Sequence, residues 1–417
     1  MSTLEILKKS KVVLFGAGNN GMKMLTLLDS IGINPAYFVD NNPNIKDLQI
    51  PVKSPHSLLT EDKSRLKIII TPITNHSKHI KNQLTEMGLD AYIDNTFQNL
   101  PTTVRIDAST FCQLRCLDCP THLPNAMTIG KGNLKYSDFK IFIENNRYVQ
   151  TIELSNFGEI FLNPELVNII EYAFQQNVSL KADNGVNFNT VTDEMLEALV
   201  KFKFKSMVIS IDGTSQKTYS QYRVNGDYDR VINNIKRLNF YKEKYSSEYP
   251  DLTWQFVLMH HNEDDVKNVK EQAKMLNMNV VFKYTWNPDY QPQKIEMLKA
   301  ETGLASLTRE EYHQNNSKTY KSDVCHQLWN SPQINWDGRL LGCCTVGTTG
   351  KKDFGVNVFD IGLEQALTAE SYKFAKLLLQ GKVTTQDIFH LHDVIPCIDC
   401  GIYKERLKYN DFIELSF

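Results

Sequence analysis

The sequence predicts an α/β chain in three parts: a small parallel-sheet domain over residues 1–98, a partial (β/α)6 barrel over 99–300, and a cysteine-rich tail over 301–417. Three observations predict it. Continuous apolar strands alternate with helices from residue 11 onward, the pattern of a buried parallel sheet. A glycine-rich turn stands between the first strand and the first helix. The eight cysteines are clustered, at 112, 116 and 119, at 325, at 343 and 344, and at 397 and 400.

Bulk properties narrow the function. A chain of 417 residues is too long for one ordinary core, at roughly 150 residues per domain. A net charge of −2 offers no basic excess to neutralise a phosphate backbone, so no nucleic-acid partner is expected. No apolar run approaches the roughly 18–20 residues of a membrane span, so none is expected to enter a bilayer. Met1-Ser2-Thr3-Leu4-Glu5 leads into a charged turn and not an apolar signal core, and a cytoplasmic location is expected. In a reducing compartment clustered cysteines are metal ligands more often than disulfides. Three plus four cysteines make two metal sites and leave one thiol over.

In the first part, Lys11–Phe15 is an apolar strand followed by Gly16-Ala17-Gly18-Asn19-Asn20-Gly21 and a helix to about Ser30. Further strands are expected at 36–39, 67–70 and 91–93, with a helix near 76–88. The G-x-G-x-x-G run has the strand-turn-helix setting that gives it meaning, with Asp40 about 20 positions on. Gly16, Gly18 and Gly21 allow a phosphate to approach a helix N-terminus, and Asp40 is placed to accept from a ribose hydroxyl. Only one mononucleotide-binding half fits in this length, which disfavours a dinucleotide. The segment resembles the small Rossmann-like domains that precede sugar-modifying and acyl-transferring modules, which open with Gly-Ala-Gly and continue Val-Asp-Asn-Asn-Pro. A nucleotide or nucleotide-sugar site and a vacant interaction scaffold both remain open.

In the second part, strands are expected at 103–107, 150–154, 178–182, 207–211, 253–258 and 280–284. Six units make three-quarters of an eight-unit barrel, whose chemistry gathers at the C-terminal ends of the strands. Each polar motif does follow a strand. Cys112-x3-Cys116-x2-Cys119 follows the first. Three thiolates on one loop hold three corners of a four-iron cube and leave the fourth iron open, whereas zinc prefers C-x2-C pairs and a closed shell. This spacing resembles that of the radical S-adenosylmethionine (radical SAM) enzymes. The resemblance implies that Cys112, Cys116 and Cys119 bind a [4Fe-4S] cluster, with SAM chelated to the open iron.

The other strand ends resemble the same family. Phe157-Gly158-Glu159-Ile160 resembles its Gly-Gly-Glu-Pro element and keeps only Gly158 and Glu159, which implies an acceptor for the methionine ammonium. Asp183-Asn184-Gly185 is similar to Thr-Asn-Gly, with Asn184 toward the ribose. Ser210-Ile211-Asp212-Gly213 with Tyr219 and Arg223 resembles Ser-x-Asp-Gly … Tyr-x-x-x-Arg, which implies Ser210 and Arg223 on the methionine carboxylate. Taken singly, Asp212-Gly213 reads as a turn and Arg223 as an ion pair. Asp118 stands where the family often places a bulky residue near the adenine, a packing role left here to Leu117 or Phe256–Leu258.

The tail resembles the SPASM or shorter twitch extension, with Cys325-x2-Leu328-Trp329, then Asp337-Gly338, then Cys343, and finally Cys397-x2-Cys400. The implication is one auxiliary [4Fe-4S] cluster on Cys325, Cys343, Cys397 and Cys400; four thiolates also suit zinc. Cys344 is the spare, either a buried small hydrophobe or a hydrogen-atom donor to a carbon radical. The resemblance implies an oxidoreductase or epimerase fed by a flavodoxin- or ferredoxin-type electron donor. Its substrate is expected to be a carbohydrate, cyclitol or nucleotide-sugar, with a SPASM-type peptide substrate as the alternative and a zinc-stabilised nucleotide-binding scaffold as the second.

Overall fold

A computed structural model of the chain describes residues 3–42, 45, 48–72, 75–89, 92–93, 100–121, 129–285, 287–316, 320–346 and 353–413. Pro43, Ala91 and the boundary expected at 98/99 lie outside the described residues. The chain divides into two compact units, one up to Pro101 and one from Thr102 to Ile413.

The first unit carries β1 (Lys11–Phe15), β2 (Tyr37–Val39), β3 (Val52–Lys53), β4 (Leu66–Ile70) and β5 (Tyr92–Ile93). They form one parallel sheet in the order β3-β2-β1-β4-β5. Val13, Phe15, Val39, Ile68 and Ile70 lie in one core with Ile80 and Leu84 of the helix Asn75–Glu86. The two-residue β3 was not anticipated, because Val52-Lys53 is too short to show a period. At the turn, a Cβ on Gly21 would stand 2.0 Å from the Gly16 carbonyl oxygen, so the helix Asn19–Ser30 packs on its own loop only without a side chain there.

The second unit holds β6 (Thr103–Ile106), β7 (Thr151–Glu153), β8 (Ser179–Val186), β9 (Ser206–Ser210), β10 (Asp251–Leu258), β11 (Asn279–Tyr284), β12 (Gln333–Ile334) and β13 (Leu340–Gly342). The sheet runs β11-β10-β9-β8-β7-β6-β12-β13. Strands β6 to β11 are parallel neighbours in chain order, as a partial (β/α)6 barrel requires. Helices such as Tyr136–Asn145, Leu166–Gln175 and Asp193–Lys201 connect them. Trp254, Phe256 and Leu258 of β10, with Met207 and Ile209 of β9, are fully buried. The Asp337-Gly338 hairpin returns as expected, and its β12 strand pairs parallel with β6, so the tail continues the barrel's sheet. Among the described residues no helix is long and apolar enough to cross a membrane.

One boundary differs with consequence. Strand β8 runs on to Val186, so Asp183-Asn184-Gly185 lies inside the strand and not beyond it. Pairing with β9 resumes at Val186↔Ile209 after an irregularity from Ala182, a bulge that carries the polar run within the sheet. The Asp183 carboxylate accepts from Ser206 Oγ at 2.6 Å and from Lys181 Nζ at 2.8 Å, which satisfies it in place.

Directly after β6, Asp107 is fully buried and accepts from the Phe157 N–H at 3.2 Å and from Gln333 Nε2 at 3.0 Å, tying β6 to the β7 loop and to β12. Burial pushes its carboxyl up to about 7. An acid raised by folding binds its proton more tightly in the native state. Its contribution is complete below the ordinary value of 3.8 and is lost as pH rises through about 7. Urea denaturation is therefore expected to show a shallower fall in stability over this window in Asp107→Asn than in the wild type. The difference in slope is at most about 1.4 kcal/mol per pH unit; identical slopes would refute it.

Candidate active site

The cysteine loop is held from two sides. On the β7 side, the Glu159 N–H donates to the Phe111 carbonyl at 2.7 Å, and the Ala108 N–H to Leu154 at 3.1 Å. On the β9 side, the Arg115 N–H donates to Val224 at 2.9 Å. Gly158 has φ +75°, and a Cβ there would stand 2.4 Å from the Ser109 carbonyl oxygen. Backbone therefore lies directly against backbone where the loop meets the second strand end. Cys112 and Cys119 are half-buried and Cys116 is buried. Burial first, then the neighbouring Glu159, Cys116 and Cys119 charges, push the Cys112 thiol up to about 12. Two polar side chains reach these sulfurs: Asn187 Nδ2 donates to Cys112 Sγ and Arg223 Nη1 to Cys116 Sγ, each at 3.6 Å.

The residues expected around SAM are partly gathered here. Glu159 is buried and accepts from the Asn187 N–H at 2.6 Å and the Phe161 N–H at 3.4 Å. Burial pushes its carboxyl up to about 7 against those hydrogen bonds and the attraction of Arg223. Arg223 Nε donates to Asp212 at 2.6 Å, so this guanidinium bridges a buried carboxylate and the Cys116 sulfur. Ser210 ends β9 and accepts from Gln255 Nε2 at 3.3 Å. Asn184 stands toward the β7 end, donating to Asn156 Oδ1 at 3.1 Å.

The second cysteine set converges. Cys325, Cys343, Cys397 and Cys400 line one pocket, walled by Leu328, Leu379, Pro396 and Tyr403. Burial raises the Cys325, Cys343 and Cys397 thiols, and Cys397 is further raised by each of the other three. Arg406 opposes the rise at Cys325. Among the described residues no three of His, Cys, Asp and Glu meet tightly enough to hold a single metal ion. Four thiols lining one apolar pocket are a donor set that a four-iron cluster or a zinc ion takes.

No family model matches the chain. The uncharacterized protein MJ0804 of Methanocaldococcus jannaschii is 24% identical over 160 residues, which is 38% of this chain and 50% of that protein. The chain thus spans about half the length of this curated relative. Among solved structures, Streptococcus suis SuiB bound to S-adenosylmethionine superposes with a TM-score of 0.53 at 14% identity, over 79% of this chain and 82% of SuiB. SuiB bound to its precursor peptide SuiA gives 0.52 at 13% identity, over 92% of this chain and 82% of that one. The chain shares the fold of SuiB.

Within this fold, Cys343 and Cys344 differ in their surroundings. Cys343 lines the four-cysteine pocket, while the Cys344 N–H donates to Gln327 Oε1 at 2.8 Å and its carbonyl accepts from Asn156 Nδ2 at 3.4 Å. Cys344 is thereby tied to the strand ends through Asn156 and Asn184. In the first unit, Asp40 is used by its own loop. Its two carboxylate oxygens accept from the N–H groups of Ala17 and Asn42, each at 2.8 Å, so it braces the glycine turn expected to present it to a ribose. Gly18 faces open space.

Sequence reasoning overlooked Asn187, Gln113, Asp212 as a charge partner, and Gln255. Gln113 Nε2 donates to Asn187 Oδ1 at 2.8 Å, linking the cysteine loop to the end of β8. An asparagine directly after a strand is a readable signal, but the apolar pattern ends that strand at 182 and so points to Asn184, whereas β8 runs to Val186. Nothing local pairs Arg223 with Asp212, which lie eleven positions apart across a turn and a helix.

Proposed function

We propose that this chain is a radical SAM enzyme, an oxidoreductase or epimerase acting on an unactivated C–H bond of a carbohydrate, cyclitol or nucleotide-sugar. The observation that carries the reading is the three-thiol loop pinned at the strand ends, with Asn187 and Arg223 directed at two of its sulfurs. Cys112, Cys116 and Cys119 would hold a four-iron cluster with one corner open, which would supply the one-electron reduction needed to cleave SAM for removal of a substrate hydrogen. Gly158 and Glu159 receive the methionine ammonium, Ser210 and Arg223 its carboxylate, and Asn184 the ribose. Arg223, with Asp212 at its Nε, places a fixed cation beside Cys116 and favours its thiolate. The barrel mouth excludes water and holds the target C–H at near-attack distance.

Cys325, Cys343, Cys397 and Cys400 would hold an auxiliary cluster, which would supply an acceptor for the second electron of a dehydrogenation. Cys344 is the candidate hydrogen donor in the epimerase form. The first unit takes a nucleotide or nucleotide-sugar at Gly16, Gly18 and Gly21. A flavodoxin- or ferredoxin-type donor supplies electrons in the cytoplasm. One observation favours a peptide substrate as the second reading: the likeness to SuiB in complex with a precursor peptide extends over 92% of this chain.

Anaerobic purification tests the reading. Brown protein with about eight irons and eight sulfides per chain is expected, falling by about half when Cys112, Cys116 and Cys119 become alanine together. SAM cleavage is expected to vanish in the same variant. Colourless zinc protein without SAM cleavage would overturn it. Nucleotide sugars are expected to raise the melting temperature of the wild type and not of Gly18→Val, whose added side chain meets no atom within 4 Å of its Cβ.

A further inference from the structure

Each of the three sulfurs on the cysteine loop meets a polar side chain of a different kind. Asn187 Nδ2 donates to Cys112 Sγ and Arg223 Nη1 to Cys116 Sγ, each at 3.6 Å. The Cys119 thiol donates to the Thr121 hydroxyl at 3.3 Å. A hydroxyl is both donor and acceptor, so this contact reverses when Cys119 is a thiolate, and Thr121 then donates to sulfur. Asn187 and Thr121 are both buried, so water competes little for either contact.

The asparagine is oriented by its own partners. Its Oδ1 accepts from Gln113 Nε2 at 2.8 Å and from the Asn189 N–H at 3.0 Å, while its backbone N–H donates to Glu159 Oε2 at 2.6 Å. Two donors on Oδ1 fix which end of the amide is oxygen, because the reversed amide would turn its NH2 group toward both. The end that faces Cys112 is therefore the donor. Asn189 is held in turn: its Nδ2 donates to the Tyr219 hydroxyl at 3.0 Å and its Oδ1 accepts from the Asp227 N–H at 2.8 Å. Arg223, by contrast, also balances Asp212, so its effect on sulfur does not separate from that pair.

We propose that Asn187 and Thr121 are positioning residues that set the reduction potential of a cluster held by Cys112, Cys116 and Cys119. The assignment rests on the radical SAM reading for the presence of that cluster. One electron from a flavodoxin- or ferredoxin-type donor adds one negative charge, shared by the sulfurs, and no proton has to move. N–H and O–H groups directed at those sulfurs stabilise the more negative, reduced form and so raise the potential. The two side chains thereby ease electron entry from such a donor and limit the reducing power left for SAM.

The test is redox titration of the anaerobically purified full chain, following the paramagnetic resonance signal that responds to added SAM. That response separates this cluster from one on the other four cysteines. Asn187→Leu keeps the shape without adding charge and removes the donor; Thr121→Val removes only the hydroxyl. Each is expected to lower the reduced-to-oxidised ratio at a fixed potential on the order of tenfold, a midpoint about 59 mV lower for one electron. Thr121→Ser keeps the hydroxyl and is expected to hold the wild-type midpoint. An unmoved midpoint in Thr121→Val and in iron-loaded Asn187→Leu overturns the assignment, as does a shift in Thr121→Ser equal to that in Thr121→Val. If Asn187→Leu takes up no iron at the loop, Thr121→Val decides. Wild-type protein without a SAM-responsive signal removes the radical reaction itself, whereas such a signal with unmoved midpoints removes the tuning role alone.

Discussion

Replacing Arg223 with methionine is expected to destabilise the protein by about 3–5 kcal/mol and to abolish SAM cleavage. The Asp212 side chain is wholly buried, and its charge is balanced by Arg223 Nε at 2.6 Å. Methionine fills much of the same volume and leaves that carboxylate with the Val257 N–H but without its guanidinium, the costly half of a broken buried pair. The damage reaches the site by two routes. Cys116 loses the cation that favours its thiolate, and Val224, the next residue, anchors the cysteine loop through Arg115. Arg223→Lys keeps a charge but not a fork able to touch Asp212 and Cys116 together, and an intermediate loss is expected. Urea midpoints and 5′-deoxyadenosine yield measure both effects. Wild-type values for Arg223→Met would show that the pair does not support the site.

Iron is expected to fall by about half in Gly158→Ala, with the four-cysteine pocket still loaded. The position combines a left-handed backbone with a Cβ that would lie 2.4 Å from the Ser109 oxygen and 2.7 Å from the Phe111 oxygen. Neither neighbour is the flexible end of a side chain, so backbone must move. Overpacking of this kind costs about 1–3 kcal/mol, with further strain from the positive φ. What gives way is the hydrogen bond from Glu159 to Phe111, one residue before Cys112. Iron counting and cluster absorption, compared with the Cys112, Cys116 and Cys119 triple variant, check the expectation. Full iron with normal SAM cleavage would mean that the loop is held from the β9 side alone.

These two residues show how unevenly the site was written. Gly158 was visible, because Gly-Glu after an apolar strand is a short motif. Its structural task was hidden, because the atoms it must avoid belong to residues nearly fifty positions earlier. Arg223 was also visible, yet its match to Asp212 and Cys116 joins three segments of the chain. At Asp40 the spacing after the glycine turn points to a ribose, and the structure adds that its two oxygens also accept from the loop's own N–H groups. Spacing along a chain records which residues are available. It does not record which polar groups folding has already satisfied.

By itself the sequence determined the α/β class, the order of the six barrel strands and the grouping of the cysteines, since apolar period and close spacing are local properties of a chain. Only the tertiary structure decided that Cys325, Cys343, Cys397 and Cys400 share one pocket, and that β8 carries Asn184 inside its bulge and ends beside Asn187. Those outcomes depend on strand register and on contacts between distant segments. Register is set by the packing of all strands at once, and no short window of residues contains it.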